Sequence, residues 1–129
     1  MTLFAAADSV VSCRLVETVP RGCWTGGSPD IEGSFERVLE AVSRHDGRFD
    51  VVHSHLETKG FRLAESSRTP VVSTMHGRLD ERLTLAAIRA HPDVPLVAIS
   101  ESQRALAPWA NWVGMVRHGL ELDLSLIHI

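Results

Sequence analysis

Four of the seven histidines stand where an apolar, strand-like segment ends. They are His53, His55, His76 and His118. A neutral imidazole donates one hydrogen bond and accepts another, whereas an imidazolium donates two and carries a charge near neutral pH. Histidines in such positions can contact phosphate oxygens, exchange a proton with a reacting hydroxyl, or bind a divalent metal.

The spacing of these histidines and the residues next to them support a functional role. Residues 53 and 55 fall on the same side of a strand, because side chains alternate along a strand with period two. Gly77 and Gly119 follow His76 and His118 directly, and glycine lets a backbone turn sharply or approach a ligand closely. We expect these strand ends to form one rim facing one cleft.

Four further polar residues are candidates for the predicted rim. Arg78 either contacts a phosphate or an acceptor, or belongs with Asp80 to a solvated helix start, where an acidic residue is favoured. Ser100 and Glu101 follow another strand-like segment at the matching point. Arg104 comes about one helical turn later and is either an exposed helix arginine or part of the same cleft.

The elements that must position these residues are visible as two kinds of apolar pattern. Near-continuous apolar runs predict strands that are covered on both faces, and helical spacing predicts helices between them. The predicted strands span residues 2–6, 14–19, 50–55, 70–77, 95–100 and 112–119. The predicted helices span residues 31–45, 59–67, 79–90 and 102–107, the third with Leu79, Leu83, Ala86 and Ala90 on its apolar face.

This alternation of strands and helices predicts an α/β fold with a mostly parallel sheet. Ligands bind such sheets beyond the carboxyl ends of their strands, which is where the histidines stand. Residues 20–30 form the one extended loop. Its Thr25-Gly26-Gly27 is too weak a match to indicate a phosphate loop, since no strong strand precedes it and no lysine follows.

Length and composition limit the possible functions. The 129 residues allow one small domain and are too few for a complete eight-stranded α/β barrel, which needs about 250 residues. A net charge of −3 gives no footprint of nucleic-acid binding, and no apolar run approaches the roughly 20 residues of a membrane span. With no basic leader and only Cys13 and Cys23, we expect a cytoplasmic protein with reduced thiols.

Four segments, in their order and spacing, resemble the N-terminal half of a bacterial glycosyltransferase of family 4, the retaining GT-B class. They read DVVHSH at 50–55, TPVVSTMHGR at 69–78, VPLVAISESQR at 94–104 and ANWVGMVRHGL at 110–120. The start of the chain, residues 2–9, is similar to that family's second strand and the turn after it. The resemblance extends from residue 2 to about residue 124.

The resemblance implies two Rossmann-like domains, the N-terminal one holding the acceptor and the C-terminal one holding a nucleotide-sugar donor, with no metal or other cofactor required. By position, His76 corresponds to the histidine at the reaction centre, near the transferred sugar and the donor diphosphate. The remaining matches are substrate-binding candidates: His53 and His55 on the acceptor side, Gly77 and Arg78 beside His76, Ser100, Glu101 and Arg104 at the inter-domain cleft, and His118 and Gly119 at the turn before the second domain.

Some parts of the family pattern have no counterpart in this sequence. The first strand, its glycine-rich loop, the first long helix and the C-terminal domain with its acidic donor-binding motif are missing. The expected fold is therefore an incomplete Rossmann-like parallel sheet with flanking helices over residues 1–124. Residues 125–129 resemble the translation of a sequencing adapter and are expected to be a non-native tail, so His128 receives no role.

The expected function follows from that resemblance. We expect a fragment of an enzyme that transfers a sugar from a nucleotide sugar to an acceptor hydroxyl with retention, inactive and poorly stable by itself. Its expected location is the cytoplasm, with a peripheral position at the inner membrane face as an alternative. Two other functions stay open: a metal-dependent hydrolase that uses the His53-x-His55 pair, and a non-catalytic binding domain.

Overall fold

The computed structural model describes residues 1–23 and 30–119 as a mixed α/β protein with parallel strands and flanking helices. The chain divides into two compact units, Met1–Val52 with Lys59–Val71, and His53–Thr58 with the chain from Val72 onward. The strands are β1 (Thr2–Ala6), β2 (Arg14–Val19), β3 (Val52–Ser54), β4 (Val71–Thr74), β5 (Leu96–Ala98) and β6 (Trp112–Met115). The helices are α1 (Ile31–Ser43), α2 (Phe61–Ser66), α3 (Arg82–Ala90) and α4 (Glu101–Leu106).

The first unit contains a two-stranded sheet in which β1 and β2 pair in parallel. Helix α1 packs against both strands and buries Leu39, Ala41 and Val42. Asp30 caps the helix, because its carboxylate accepts the Gly33 N–H at 2.8 Å and so satisfies one of the free amides of the first turn. A short 3₁₀ turn, Glu57–Gly60, leads into α2.

The segment after α1 is fixed by the carboxylate of Asp46. It accepts hydrogen bonds from the Ser67 hydroxyl at 2.5 Å and from the backbone N–H groups of Arg68 and Thr69 at 3.0 Å each. These bonds favour the charged form and hold the pKa of Asp46 far below its ordinary value of 3.8. Next to it, Gly47 has a φ of +76°, a conformation that L side chains rarely adopt.

The second unit contains a four-stranded sheet with the order β3-β4-β5-β6. The pairs β4–β5 and β5–β6 are parallel. Ser73 and Thr74, on opposite faces of β4, are both buried, as predicted for a strand covered on both faces. Strand β5 buries Leu96 and Ala98 on one face and leaves Val97 half-buried on the other. Strand β6 lies at the edge of the sheet, where Val113 is 58% exposed.

The predicted strands occur in order, but those of the second unit are shorter than predicted. The polar end of each predicted strand lies in the loop that follows it: His55 after β3, His76 after β4, Ser100 after β5 and His118 after β6. The apolar run of a strand and its polar end look continuous in the sequence, but backbone pairing stops before the polar residues.

The third helix differs from the prediction in its start and in its buried face. It begins at Arg82 rather than at residue 79, and Leu79 is fully buried in the preceding loop. Ile88 is the buried side chain of α3 at 1% exposure, whereas Leu83 is 83% exposed and Ala86 and Ala90 are exposed as well. Because Leu79 is buried outside the helix, it does not set the helical phase, and the predicted apolar face is wrong.

Several sequence features lie outside the described residues. Thr25-Gly26-Gly27, the greater part of the predicted 20–30 loop, and the tail at 125–129 with His128 belong to them. Cys13 and Cys23 are free thiols, both half-buried. Within residues 1–23 and 30–119, no helix combines the length and apolar character that crossing a membrane requires.

The contacts of Asp46 predict a stability loss in acid. Because its pKa is lower in the folded than in the unfolded chain, its contribution is complete above the ordinary value of 3.8 and is lost as the pH falls below it. Urea unfolding over a pH series checks this. Asp46→Asn should be less stable than the parent at neutral pH and lose less stability in acid, whereas Glu40→Gln, at an exposed ion pair, should keep the parent's profile. Equal acid sensitivity of Asp46→Asn and the parent would contradict the assignment.

The phase of α3 predicts opposite outcomes for two alanine substitutions. Ile88→Ala should lower the free energy of unfolding by about 2–5 kcal/mol, because it leaves a cavity in the core. Leu83→Ala should change it by no more than about 0.5 kcal/mol, since its side chain is exposed. Chemical unfolding of both variants measures the difference, and a larger loss for Leu83→Ala would show that the other face of α3 is buried.

Candidate functional site

Four histidines of the second unit form one row at the carboxyl ends of β3, β4 and β6. His53 lies inside β3, and His55, His76 and His118 lie in the segments that follow the three strands. Ring centroids are 4.2 Å apart for His53 and His55, and 5.1 Å apart for both His55–His76 and His76–His118. All four side chains are exposed. The predicted gathering of these residues at one rim is thus present in the fold.

Direct hydrogen bonds join three of the rings. His55 Nδ1 lies 2.8 Å from His76 Nε2, and His76 Nδ1 lies 2.9 Å from His118 Nε2. The planes of the two hydrogen-bonded ring pairs are 29° and 24° from parallel. In each pair the bonded nitrogens are much closer to each other than the ring centroids are, so the rings meet edge to edge rather than face to face. The outer ring, His53, places Nε2 2.6 Å from the hydroxyl oxygen of the buried Thr74.

This arrangement constrains the protons on the rings. Each nitrogen–nitrogen hydrogen bond needs one proton, and a neutral imidazole carries only one N–H. A neutral His76 must therefore donate to one neighbour and accept from the other, which orients the whole chain of three rings in one direction. A protonated His76 donates to both neighbours. The row can consequently hold or pass a proton between His55 and His118.

Among the four histidines of the row, the pKa of His55 is shifted by its surroundings. Its pKa is lowered from 6.5, first because partial burial disfavours the charged form and then because charge on His53 and His76 repels it. His55 thus stays neutral further into acid than a free histidine. A neutral ring is able to accept a hydrogen bond from a hydroxyl or from His76.

The backbone at His76 is held by two side chains that the sequence analysis did not select. Oε1 of Glu57 accepts the N–H groups of His76 at 2.7 Å and Gly77 at 3.0 Å. Nε2 of Gln103 donates to the carbonyls of Met75 at 2.9 Å and Gly77 at 3.0 Å. A signal for Gln103 was present, because Ser100 and Gln103 have the spacing of a helix capping box, whereas nothing in the sequence distinguishes Glu57.

The predicted residues of α4 lie at its start. Ser100 is the N-cap, and its hydroxyl oxygen accepts the Gln103 N–H at 3.1 Å. Glu101 and Arg104 form an ion pair with each other at 3.7 Å. The contacts of these three residues stabilise the helix start, while the histidine row is built by other side chains.

Arg78 also pairs locally. Its guanidinium forms a salt bridge with Asp80, which lowers the pKa of Asp80 and raises that of Arg78. Neither residue starts a helix, because α3 begins at Arg82 after the N-cap Glu81, so the predicted helix start at Arg78 and Asp80 is wrong. Arg78 remains 77% exposed beside the turn at His76.

Neither Gly77 nor Gly119 has a backbone conformation that requires glycine. Gly77 lies at a bend and Gly119 in a loop, and among the described glycines only Gly47 has a positive φ. A Cβ at residue 77 would meet the Glu57 carboxylate at 3.7 Å, an ordinary contact, and at residue 119 it would meet nothing within 4 Å. The two roles expected of these glycines, a sharp turn of the backbone or close approach of a ligand, stay predictions.

Metal binding receives no support from the geometry of the row. In the described part of the chain, no group of three or more ligating side chains is arranged around a common point. The reason is visible at His76, which directs one nitrogen to each neighbouring ring. The nitrogen lone pairs therefore point along the row instead of converging.

Comparison with known proteins adds no family to this description. A scan against protein-family models and a search of curated proteins both found no match to the chain.

The lowered pKa of His55 predicts a pH dependence of stability near neutrality. Since the folded chain binds this proton less readily than the unfolded chain, the free energy of unfolding should fall as the pH drops below about 6.5. His55→Asn should flatten this part of the profile. Urea unfolding at a series of pH values decides, and an unchanged slope in His55→Asn would refute the role of His55.

Proposed function

We propose that this chain is the acceptor-side domain of a retaining, nucleotide-sugar-dependent glycosyltransferase similar to the GT-B enzymes of family 4. The observation that carries the proposal is the histidine row centred on His76, beyond the carboxyl ends of parallel strands. Ligands of parallel α/β sheets bind at that edge. The parallel order of β4, β5 and β6 and the position of His76 after β4 agree with the resemblance in sequence.

The chemistry of the row suits glycosyl transfer. Departure of a nucleoside diphosphate builds negative charge on its leaving phosphate, and a fixed hydrogen-bond donor there stabilises the transition state more than the ground state. Both ring nitrogens of His76 are bonded within the row, so a protonated His76 supplies this donor by exchanging one of those bonds for the phosphate, while its other nitrogen keeps its bond. In front-face transfer the leaving phosphate takes the acceptor proton, so the chain needs no nucleophile of its own.

The proposal gives the remaining site residues different roles according to their positions. His53 and the neutral ring of His55 face the acceptor hydroxyl, which they can orient by hydrogen bonds. Gly77 and Arg78 flank His76 on the exposed side, and His118 completes the row before Gly119. Ser100, Glu101 and Arg104 are proposed to meet the donor-binding domain.

The proposed partners are a nucleotide-sugar donor, an acceptor hydroxyl and a donor-binding domain like that of the family. No metal is needed for the proposed transfer, and neither nucleic acid nor a membrane span has a part in it. The proposed location is the cytoplasm, with peripheral association at the inner membrane face as the alternative. The 129 residues by themselves are expected to transfer no sugar, because no segment of them resembles the donor-binding domain.

The role of His76 predicts a large loss of activity on substitution. In the full product of the gene that encodes these residues, His76→Ala should lower kcat by about 10²–10³-fold, the usual effect of removing one donor from a developing oxyanion. The measurement is release of nucleoside diphosphate from a panel of nucleotide sugars, with and without acceptors. His91→Ala is the matched control, since His91 lies at the end of α3.

Two results would overturn the proposal. One is sugar transfer by His76→Ala at the parent's rate. The other is metal-dependent hydrolysis by a parent protein that binds zinc stoichiometrically and transfers no sugar, which would favour the hydrolase instead.

A further inference from the structure

The turn that carries His76 is held from two sides by side chains to which the proposed reaction assigns no role. The last ladder bond of this segment joins the Met75 N–H to the Val97 carbonyl at 3.0 Å. Beyond it, the chain leaves the sheet, and its backbone groups need other partners. Glu57 accepts the two N–H groups of His76 and Gly77, and Gln103 donates to the carbonyls of Met75 and Gly77.

Gln103 is built into the fold rather than placed on its surface. Its side chain is buried, with the residue 7% exposed, and all its hydrogen bonds go to backbone groups. While Nε2 donates to the two carbonyls, Oε1 accepts the Ile99 N–H at 2.9 Å. One carboxamide thus ties the end of β4 to the end of β5.

Glu57 holds an unusual backbone conformation at the same place. It is the non-glycine residue with positive φ among those described, at +51°. L residues adopt this region at a cost and keep it only where their surroundings fix them. The two hydrogen bonds from the His76–Gly77 turn to one oxygen of its carboxylate are such a constraint.

Fixing four backbone groups around residue 76 restricts the direction of its side chain. The ring must present Nε2 to His55 and Nδ1 to His118 at 2.8 and 2.9 Å at once. Hydrogen bonds weaken steeply as their geometry departs from alignment, so both bonds survive only small rotations of the ring. A turn free to move would lose one bond or the other.

We infer that Glu57 and Gln103 are positioning residues that hold the His76–Gly77 turn so that the His76 ring bridges His55 and His118. The effect of this positioning on catalysis rests on the proposed function. The positioning itself is a property of the chain and is measurable without any substrate. Positioning of a reacting group within tenths of an ångström is one of the ways in which residues without a chemical role affect rate.

The donor and acceptor pattern makes conservative substitutions informative. Both bonds to Glu57 end on one oxygen, so Glu57→Gln can keep them through its amide carbonyl and remove only the charge. Glu57→Gly removes the carboxylate and also relieves the positive φ, so it should fold. Gln103→Glu keeps the acceptor for Ile99 but turns an oxygen towards the carbonyls of Met75 and Gly77.

The experiment is two-dimensional NMR of the full 129-residue chain labelled with ¹⁵N-histidine, which reads the tautomer of each ring from its nitrogen shifts. In the parent and in Glu57→Gln, His76 should show one tautomer coupled to those of His55 and His118. Glu57→Gly and Gln103→Glu should shift His76 to the mixed tautomers of a free imidazole. Glu40→Gln, at an exposed ion pair of α1, should match the parent.

Three results would contradict the positioning roles of Glu57 and Gln103. An unchanged His76 tautomer in Glu57→Gly refutes the role of Glu57. A loss in Glu57→Gln as large as that in Glu57→Gly refutes positioning in favour of charge. If Gln103→Glu does not fold, Gln103→Met replaces it, and parent-like His76 signals in Gln103→Met refute the role of Gln103.

Kinetics on the full gene product separate this inference from the proposed function. Glu57→Gly should lower kcat by up to about 10²-fold with the KM for the donor unchanged, and Glu57→Gln should restore kcat. If no sugar is transferred even by the parent while the NMR result stands, the proposed function fails and the positioning holds. If the parent transfers sugar and Glu57→Gly changes neither kcat nor the His76 signals, the positioning fails and the function holds.

Discussion

The site depends on how the backbone satisfies its hydrogen bonds after it leaves β4. Along β4 the N–H groups of Ser73 and Met75 donate to the carbonyls of Pro95 and Val97, and the bond of Met75 is the last before the chain leaves the sheet. Two side chains, Glu57 and Gln103, then take over for the N–H and carbonyl groups of the turn. These four hydrogen bonds fix the turn, and the turn directs the ring of His76. The bond to the buried Met75 carbonyl also avoids the cost of an unpaired buried polar group.

Parallel strand order explains why side chains so distant in the chain meet. Residues 55 and 76 are 21 positions apart, and residues 76 and 118 are 42 apart. Parallel strands all end at the same edge, so residues that follow β4 and β6 arrive there together, and His55, after β3, meets His76 there. The row of edge-to-edge imidazoles is therefore a consequence of topology combined with the choice of histidine at three strand ends, and it suits a reaction in which protons and phosphate charge are handled together.

The two units illustrate different ways of stabilising a loop. At Asp46 a single carboxylate collects the Ser67 hydroxyl and two backbone amides, so the loop is sensitive to acid. At His76 the corresponding work is shared between an acceptor, Glu57, and a neutral carboxamide, Gln103. The charged carboxylates at Asp80 and Glu101 instead pair with the nearby Arg78 and Arg104 at the surface, where ion pairs contribute little.

The sequence by itself determined the type and order of the elements and the position of the histidines at strand ends. Buried strands and amphipathic helices are local patterns, and β1, β2 and the site of α4 follow from them directly. It misjudged the face of α3, because the burial of Leu79 outside the helix is set by packing. Tertiary structure alone decided the bonds between imidazoles and the roles of Glu57 and Gln103, since each joins residues at least 19 positions apart that no local periodicity relates.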